Sequence, residues 1–209
     1  MIEQQPVKSH LLWLEDEVRN LTYYVAVSLD GYIAGPHGEF DSFLVEGDHM
    51  EPIWERYRGT APTQIAEAAG LSVADGPFDT VLMGWNTYAV GLPDHHLPSP
   101  YQHLRQIVFT RSHEGPAGSE AVHFTSADPV ATVRALKKED GKDIWLCGGG
   151  TLAAVLADEI DRLALKINPV LFGNGIPLFG AREYAPAMLE RAGTHAFDSG
   201  VLLAEYRRS

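Results

Sequence analysis

Cysteine is almost missing from these 209 residues. Cys147 stands alone, so no disulfide can close within the chain. A stapled secreted scaffold is excluded, and a reducing compartment, the cytoplasm, is the expected location. Basic residues are scarce as well. Sixteen Lys and Arg face 28 Asp and Glu, a formal charge of −12. Nucleic acid or an anionic membrane would be repelled by such a surface, so neither is an expected partner. A small anion held locally by backbone N–H groups is still allowed. No apolar run approaches the roughly 18 residues of a membrane span. Glu15, Asp16 and Glu17 sit where a signal peptide would need its apolar centre. Repeats, charge blocks and low-complexity tracts are also absent. So are the G-x-S-x-G elbow of a serine hydrolase, the Gly-Lys-Ser/Thr of a phosphate loop and the G-x-G-x-x-G dinucleotide fingerprint. Asn20-Leu21-Thr22 matches a glycosylation sequon, which has no meaning in a cytoplasmic protein.

What remains is an ordinary globular composition, 45% hydrophobic and 21% charged, long enough for one domain with a sizeable core. Residues 1–20 read as an N-terminal extension in which Leu11, Leu12, Leu14 and Val18 would give one docking helix. The domain proper is expected over 21–209. Its first strand runs from Thr22 to Leu29 and stops at the turn dipeptide Asp30-Gly31; residues 33–38 read as loop. Helices are predicted around 49–58 and, after Pro62, over 63–69. Short apolar runs at 79–83, 106–110, 121–125 and 144–147 read as strands. Asp128-Pro129 opens a helix through Lys138, with Asp as cap and Pro in the first turn. Residues 151–157 are helical, and 162–168 alternate as a strand with one buried face. Residues 187–196 and 201–207 flank Asp198-Ser199-Gly200 as a hairpin. Strands alternating with helices predict an α/β fold with a mostly parallel sheet, to which the terminal hairpin adds antiparallel pairing.

Ile144 to Leu152 carries the chemistry: strand, Gly148-Gly149-Gly150 turn, then Thr151 and a helix. Glycines admit positive φ and let a ligand approach without a Cβ in the way. The following helix offers unpaired N–H groups and the positive end of its dipole. A pyrophosphate suits that arrangement; a bare strand-to-helix turn is the alternative. Cys147, in the apolar run before the glycines, reads as a core residue rather than a nucleophile.

Four ordered segments then resemble the dihydrofolate-reductase-like family that includes the C-terminal reductase domain of bacterial riboflavin biosynthesis enzymes. They are Val25 to Ala34 with its Ser-Leu-Asp-Gly, Val81 to Tyr88 with its Met-Gly-Trp-Asn-Thr-Tyr, Ile144 to Leu152, and Asp158 to Asp161 running into Pro169 to Phe179. Together they span residues 22 to about 207. The resemblance implies a three-layer fold with helices on both sheet faces, a homodimer, and hydride transfer from a nicotinamide to a small planar C=N or C=O compound. It implies that Ala26 and Ile33 seat the nicotinamide. It puts Gly84, Asn86 and Thr87 under the adenosine-side phosphates, and Thr110, Arg111 and Ser112 beside the adenosine ribose and its 2′-phosphate. Gly148, Gly149, Gly150, Thr151 and Leu152 would hold the pyrophosphate and nicotinamide ribose.

Trp85 departs from the pattern, since the family usually has an Arg there to meet the 2′-phosphate. Arg111 offers a replacement cation, so NADPH is expected ahead of NADH; a solvated surface arginine is the plainer reading of Arg111. Trp85 would stack on the adenine or simply pack. No pattern selects a proton donor. Asp41, Asp48, Glu51 and Glu55 fall in the window where the family's pterin-binding carboxylate lies, and water or substrate could serve instead. Asp94, His95, His96 and His103 lack helical ligand spacing, so no metal is expected. Asp158, Glu159 and Asp161 read as capping and packing. The rival functions are the riboflavin-pathway reductase of 5-amino-6-(5-phosphoribosylamino)uracil and a non-catalytic nucleotide-binding protein of the same fold. No basic cluster for a ribityl phosphate is visible.

Overall fold

The computed structural model describes residues 18–92 and 97–209. The docking helix expected in the extension, and Asp94, His95 and His96, lie outside those residues. Arg19 and Asn20, read as the end of the extension, are fastened to the domain. Arg19 is buried and donates to Asp79, to the Thr80 hydroxyl and to the carbonyls of Leu136 and Lys142, while Asn20 N–H donates to Asp143 at 2.9 Å.

Eight strands form one sheet: β1 (Leu21–Ser28), β3 (Phe78–Gly84), β4 (Arg105–Phe109), β5 (Val122–Thr125), β6 (Asp143–Gly148), β7 (Arg162–Asn168), β9 (Leu189–Ala196) and β10 (Leu202–Arg208). Their order is β5-β4-β3-β6-β1-β7-β10-β9. From β5 to β7 every pair is parallel; β10 runs antiparallel to β7, and β9 to β10. The helices are α1 (Met50–Arg56), α2 (Thr63–Ala68), α3 (Trp85–Ala89), α4 (Pro129–Leu136) and α5 (Gly150–Val155). In α4 the Asp128 carboxylate accepts from Ala131 N–H at 2.7 Å, the cap expected from Asp-Pro.

Strand alternation divides the core in two. Leu21, Tyr23, Leu82, Ile107, Ile144 and Leu146 face α4 and α5 through Val133, Leu136, Leu152 and Leu156. Val81, Met83, Val108, Trp145 and Ala164 face Ile53 of α1, Tyr57 just beyond it and Tyr88 of α3. Helices therefore cover both faces, in the three-layer α/β arrangement. Each fully buried aliphatic side chain here contributes about 1.5–3 kcal/mol.

Two strands differ from the sequence reading. Residues 33–38 are not all loop: β2 (Tyr32–Ala34) pairs antiparallel with β8 (Ile176–Pro177). β7 buries both faces rather than one, because it lies inside the sheet between β1 and β10 under two helical layers. Ala164 joins the second core, and Lys166 is only 9% exposed. No helix among the described residues is long and apolar enough to cross a membrane.

Candidate functional site

Parallel neighbours end on the same side, and ligands of open α/β sheets bind in the crevice outside those carboxyl ends. β3 ends at Gly84 and β6 at Gly148, with Met83 paired to Gly148; β4 ends beside them at Phe109, and β1 beyond β6 at Ser28. This edge therefore gathers 84–87, 110–112 and 148–152 with the end of β1.

The glycine turn splits into two parts. Gly149 takes φ +101°, a conformation that strains any side chain. A Cβ at Gly148 would lie 3.6 Å from Thr87, and one at Gly149 3.4 Å from the Thr87 hydroxyl and 4.0 Å from Gly84 N. A Cβ at Gly84 would meet open space. These glycines and Thr87 thus meet at the strand ends with no glycine side chain between them, Gly148 buried and Gly149 half-buried. Gly150 looks elsewhere. Its Cβ would come closer than 3.0 Å to the Pro177 carbonyl oxygen, and Gly180 N–H donates to Gly150 O at 2.7 Å. The third glycine is required by the chain crossing it. Thr151 is exposed, and Leu152 is buried in the first core, offering its backbone only. Cys147 is half-buried; burial pushes its thiol up to about 12, and Tyr101 OH lies 3.7 Å away. Such a thiol is no nucleophile near neutral pH.

At the strand ends expected to meet the adenosine, Trp85 stacks on His113, with ring centroids 4.1 Å apart and planes within 8°, and also contacts Tyr88 and Phe124. One indole face is therefore already covered. His113 is positioned by the hydroxyls of Thr110 and Ser112, at 3.3 and 3.2 Å from Nδ1. Asn86 and Arg111 are exposed, and Arg111 joins no ion pair among the described residues.

Ala26 and Ile33 are half-buried at the end of β1 and in β2. The Ser-Leu-Asp-Gly turn between them is clamped to the fourth segment. Asp30 accepts from Ser28 Oγ at 2.6 Å and from Phe172 and Gly173 N–H at 3.1 and 2.7 Å. Those bonds, the Ser28 hydroxyl's first, hold its carboxyl down at about 2. Leu29 N–H donates to Val170 O, and Leu178 N–H to Gly31 O, both at 2.9 Å. The first and fourth segments are one structural unit.

The four candidate carboxylates, Asp41, Asp48, Glu51 and Glu55, are all exposed. Asp48 caps the hairpin turn, accepting from Asp198 and Ser199 N–H at 2.7 and 3.1 Å. Desolvation pushes its carboxyl up, but hydrogen bonds from the Ser199 hydroxyl and these amides outweigh that and leave it below its ordinary value. The ionisable groups buried on this face are others. His49 is fully buried, with Nδ1 3.0 Å from Ser199 Oγ and Nε2 3.3 Å from Leu44 O. Lys166 Nζ donates to the same Leu44 carbonyl at 2.5 Å. His103, weighed as a metal ligand, uses both ring nitrogens on Thr63 and Gly59. Asp158, Glu159 and Asp161 make ion pairs with Arg182, Arg134 and Lys137.

Residues 19–203 match the RibD C-terminal domain family, nearly the whole described chain. The chain belongs to the RibD C-terminal domain family. Two curated relatives come from Bacillus subtilis strain 168: the uncharacterized protein YwjB, 33% identical over 77% of this chain and 83% of its own, and the uncharacterized protein YyaP, 28% identical over 90% and 94%. Among solved structures, a putative riboflavin biosynthesis protein from Shewanella sp. PV-4 superposes with TM-score 0.64 at 23% identity, covering 91% of this chain and 99% of that one. A pyrimidine reductase-like protein from Corynebacterium diphtheriae gives 0.56 at 15%, covering 90% and 91%. The diaminohydroxyphosphoribosylaminopyrimidine deaminase/5-amino-6-(5-phosphoribosylamino)uracil reductase of Thermotoga maritima gives 0.59 at 17%, covering 92% of this chain and 57% of that protein. These likenesses show that this chain shares their fold.

Sequence reasoning missed His113, His49 and Lys166. His113 carried no signal, since its role depends on Trp85 from another strand end. Lys166 had one: with Leu163, Leu165 and Ile167 on one face, it belongs with Ala164 on the other, and an interior strand buries both.

Proposed function

We propose that this protein is an NADPH-dependent reductase delivering a hydride to a small planar heterocycle of the pterin or pyrimidine kind. What supports the reading is the glycine-lined meeting of strand ends at the sheet's carboxyl edge, where Gly84, Thr87, Gly148 and Gly149 approach one another without glycine side chains between them. That cradle fits a pyrophosphate: backbone N–H groups at the start of a helix and a threonine hydroxyl are donors only an anion would gather. Gly148, Gly149 and Thr151 would hold the pyrophosphate, Thr110, Arg111 and Ser112 the phosphorylated ribose, and Ala26 and Ile33 the nicotinamide. The bound cofactor supplies the hydride, and the chain supplies orientation, water exclusion and charge. Arg111 takes over the 2′-phosphate role that Trp85 cannot fill.

Tryptophan fluorescence titrated with NADPH and NADH tests the first step. Saturable quenching by NADPH, tighter than by NADH, is expected, and no binding of either sinks the reading. Loss of reduced-nicotinamide absorbance with dihydrofolate, pterins or pyrimidines then assigns the substrate class. Oxidation with the uracil substrate named for the Thermotoga maritima protein would place this chain in that reaction; binding without turnover of any acceptor would leave a nucleotide-binding protein. A cytoplasmic homodimer belongs to the same proposal, and a monomer mass in sedimentation equilibrium would remove the dimer from it.

A further inference from the structure

Lys166 is a buried cation without a carboxylate partner among the described residues. It lies on β7, in register with Ala26 of β1 on one side and Leu203 of β10 on the other. Ala164 and Leu203 belong to the core under α1, and Tyr24 packs against that core, so strand alternation turns Ala26 and Lys166 to the same face. Met50 Sδ, at the start of α1, lies 3.7 Å from Nζ. The ammonium therefore stands one strand over from the expected nicotinamide seat, between the sheet and α1. An ammonium has three N–H donors. One goes to Leu44 O and another meets only a thioether sulfur, so donor capacity remains.

Taking an uncompensated lysine out of water is costly, and chains rarely bury one unless it is paired. Here burial alone holds the ammonium down, at about 8. The groups facing it come from every neighbouring element. From the 43–49 segment come His49 and the exposed Asp48. Burial first, then the charge of Lys166, lowers His49, so it is neutral near pH 7. From α1 and β10 come Arg56 and Glu205, paired at 2.5 Å and joined by Tyr57; from β1 comes Tyr24. Glu205 Oε1 accepts from both Arg56 and Tyr57, its buried Oε2 has no hydrogen-bond partner among the described residues, and no ion pair joins this carboxylate to the lysine.

We infer that Lys166 is the specificity-determining residue on the acceptor side, its ammonium donating to a carbonyl or anionic oxygen conjugated to the bond that is reduced. The inference rests on the reductase reading above. Such an oxygen would gain charge as the hydride arrives, and a fixed cation in a dry setting favours that gain. The substrate class is thereby narrowed to planar acceptors that carry an oxygen beside the reducible bond, and anionic ones are preferred over neutral ones of the same ring size.

Barbiturate, an anionic pyrimidine, and uracil, a neutral one, serve as probes, titrated against the NADPH complex of wild type, Lys166→Met and Lys166→Arg. Wild type should prefer barbiturate by about tenfold or more, the value of a charge-assisted hydrogen bond. Lys166→Met should lose the preference while binding NADPH as wild type does, and Lys166→Arg should keep it. In wild type the preference should fade as pH rises through about 8. In that window Tyr24 and Tyr57, both raised, and His49, lowered, do not titrate. Equal affinity for the two probes in wild type, binding of neither, or an intact preference in Lys166→Met overturns the inference. If Lys166→Met does not fold, the wild-type pH profile decides, and a preference unchanged from pH 7 to 9 counts against Lys166. If wild type binds no NADPH, the reductase reading falls separately. The same probe pair on the cofactor-free protein then judges Lys166 by the same outcomes.

Discussion

Alanine at Gly150 and alanine at Gly148 should do opposite things, although the two residues are two apart in one glycine run. At Gly150 the added methyl would come closer than 3.0 Å to the carbonyl oxygen of Pro177 and would lie 3.4 Å from Gly180 N. Both obstacles are backbone, so no rotamer change relieves the clash. Gly150 opens α5, and alanine gains up to about 1 kcal/mol over glycine in a helix interior, less in a first turn. Overpacking costs about 1–3 kcal/mol, and a backbone collision belongs at the upper end. A net loss of about 1–2 kcal/mol is expected, lowering the melting temperature of a domain this size by about 2–8 °C. At Gly148 the methyl would sit 3.6 Å from Thr87, an ordinary contact, at a glycine without positive φ. Stability should change by less than about 0.5 kcal/mol, as for substitutions that meet no strain. The same methyl intrudes on the cradle, so NADPH affinity should fall about tenfold or more, the equivalent of about 1.4 kcal/mol. Urea denaturation followed by tryptophan fluorescence, with NADPH titration of each folded variant, reads both effects. An unchanged NADPH affinity in Gly148→Ala, or a Gly150→Ala protein as stable as wild type, would refute the division of the turn into a ligand-facing part and a packing part.

Other perturbations separate the remaining roles. Arg111→Ala should weaken NADPH about tenfold and leave NADH unchanged, as removal of one exposed charge-assisted contact to a phosphate would; equal losses for both cofactors would deny it that contact. The Asp30 carboxyl titrates at about 2 in the folded chain against an ordinary 3.8. Its contribution is therefore complete above about pH 4 and lost as pH falls toward 2. Urea midpoints across that range should slope less in Asp30→Asn than in wild type, and parallel slopes would count against the clamp. Arg19→Met leaves Asp79 without its guanidinium and strips donors from two backbone carbonyls. With Asp79 partly solvated, a loss of about 2–3 kcal/mol in urea is expected, near the lower bound for broken buried pairs.

Much of the fold was legible because its signals were local. Asp128-Pro129, the short apolar runs and Asp198-Ser199-Gly200 each specify an element through residues a few positions apart, and each element stands within two residues of its expected place. Order among four segments was legible too, and it fixed the architecture. Relations between distant strands were not. Asp30 and Gly31 read as turn residues, yet Asp30 is held by amides of the fourth segment. Three glycines read as one anion cradle, and only the approach of Pro177 assigns Gly150 to packing. The candidate acids were chosen by their distance along the chain from the first loop. The structure leaves all four exposed and buries Lys166, which alternation placed on a face that looked solvent-exposed until β10 and α1 covered it.

The position of β1 has a consequence for how the chain is made. It is the first strand of the sheet to be synthesised, yet it lies between β6 and β7. Asn20 reaches Asp143 across 123 residues, and Leu21 reaches Asp161 across 140. Until β6 has left the ribosome, Leu21 and Tyr23 have no strand on either side, and until β7 follows they have one on one side only. Closing such long loops before any contact rewards them makes folding slow, and apolar strands stay available to other chains meanwhile. A truncation before residue 143 removes both partners of this first strand, and one between 148 and 162 leaves it β6 alone, with its other edge open to foreign chains.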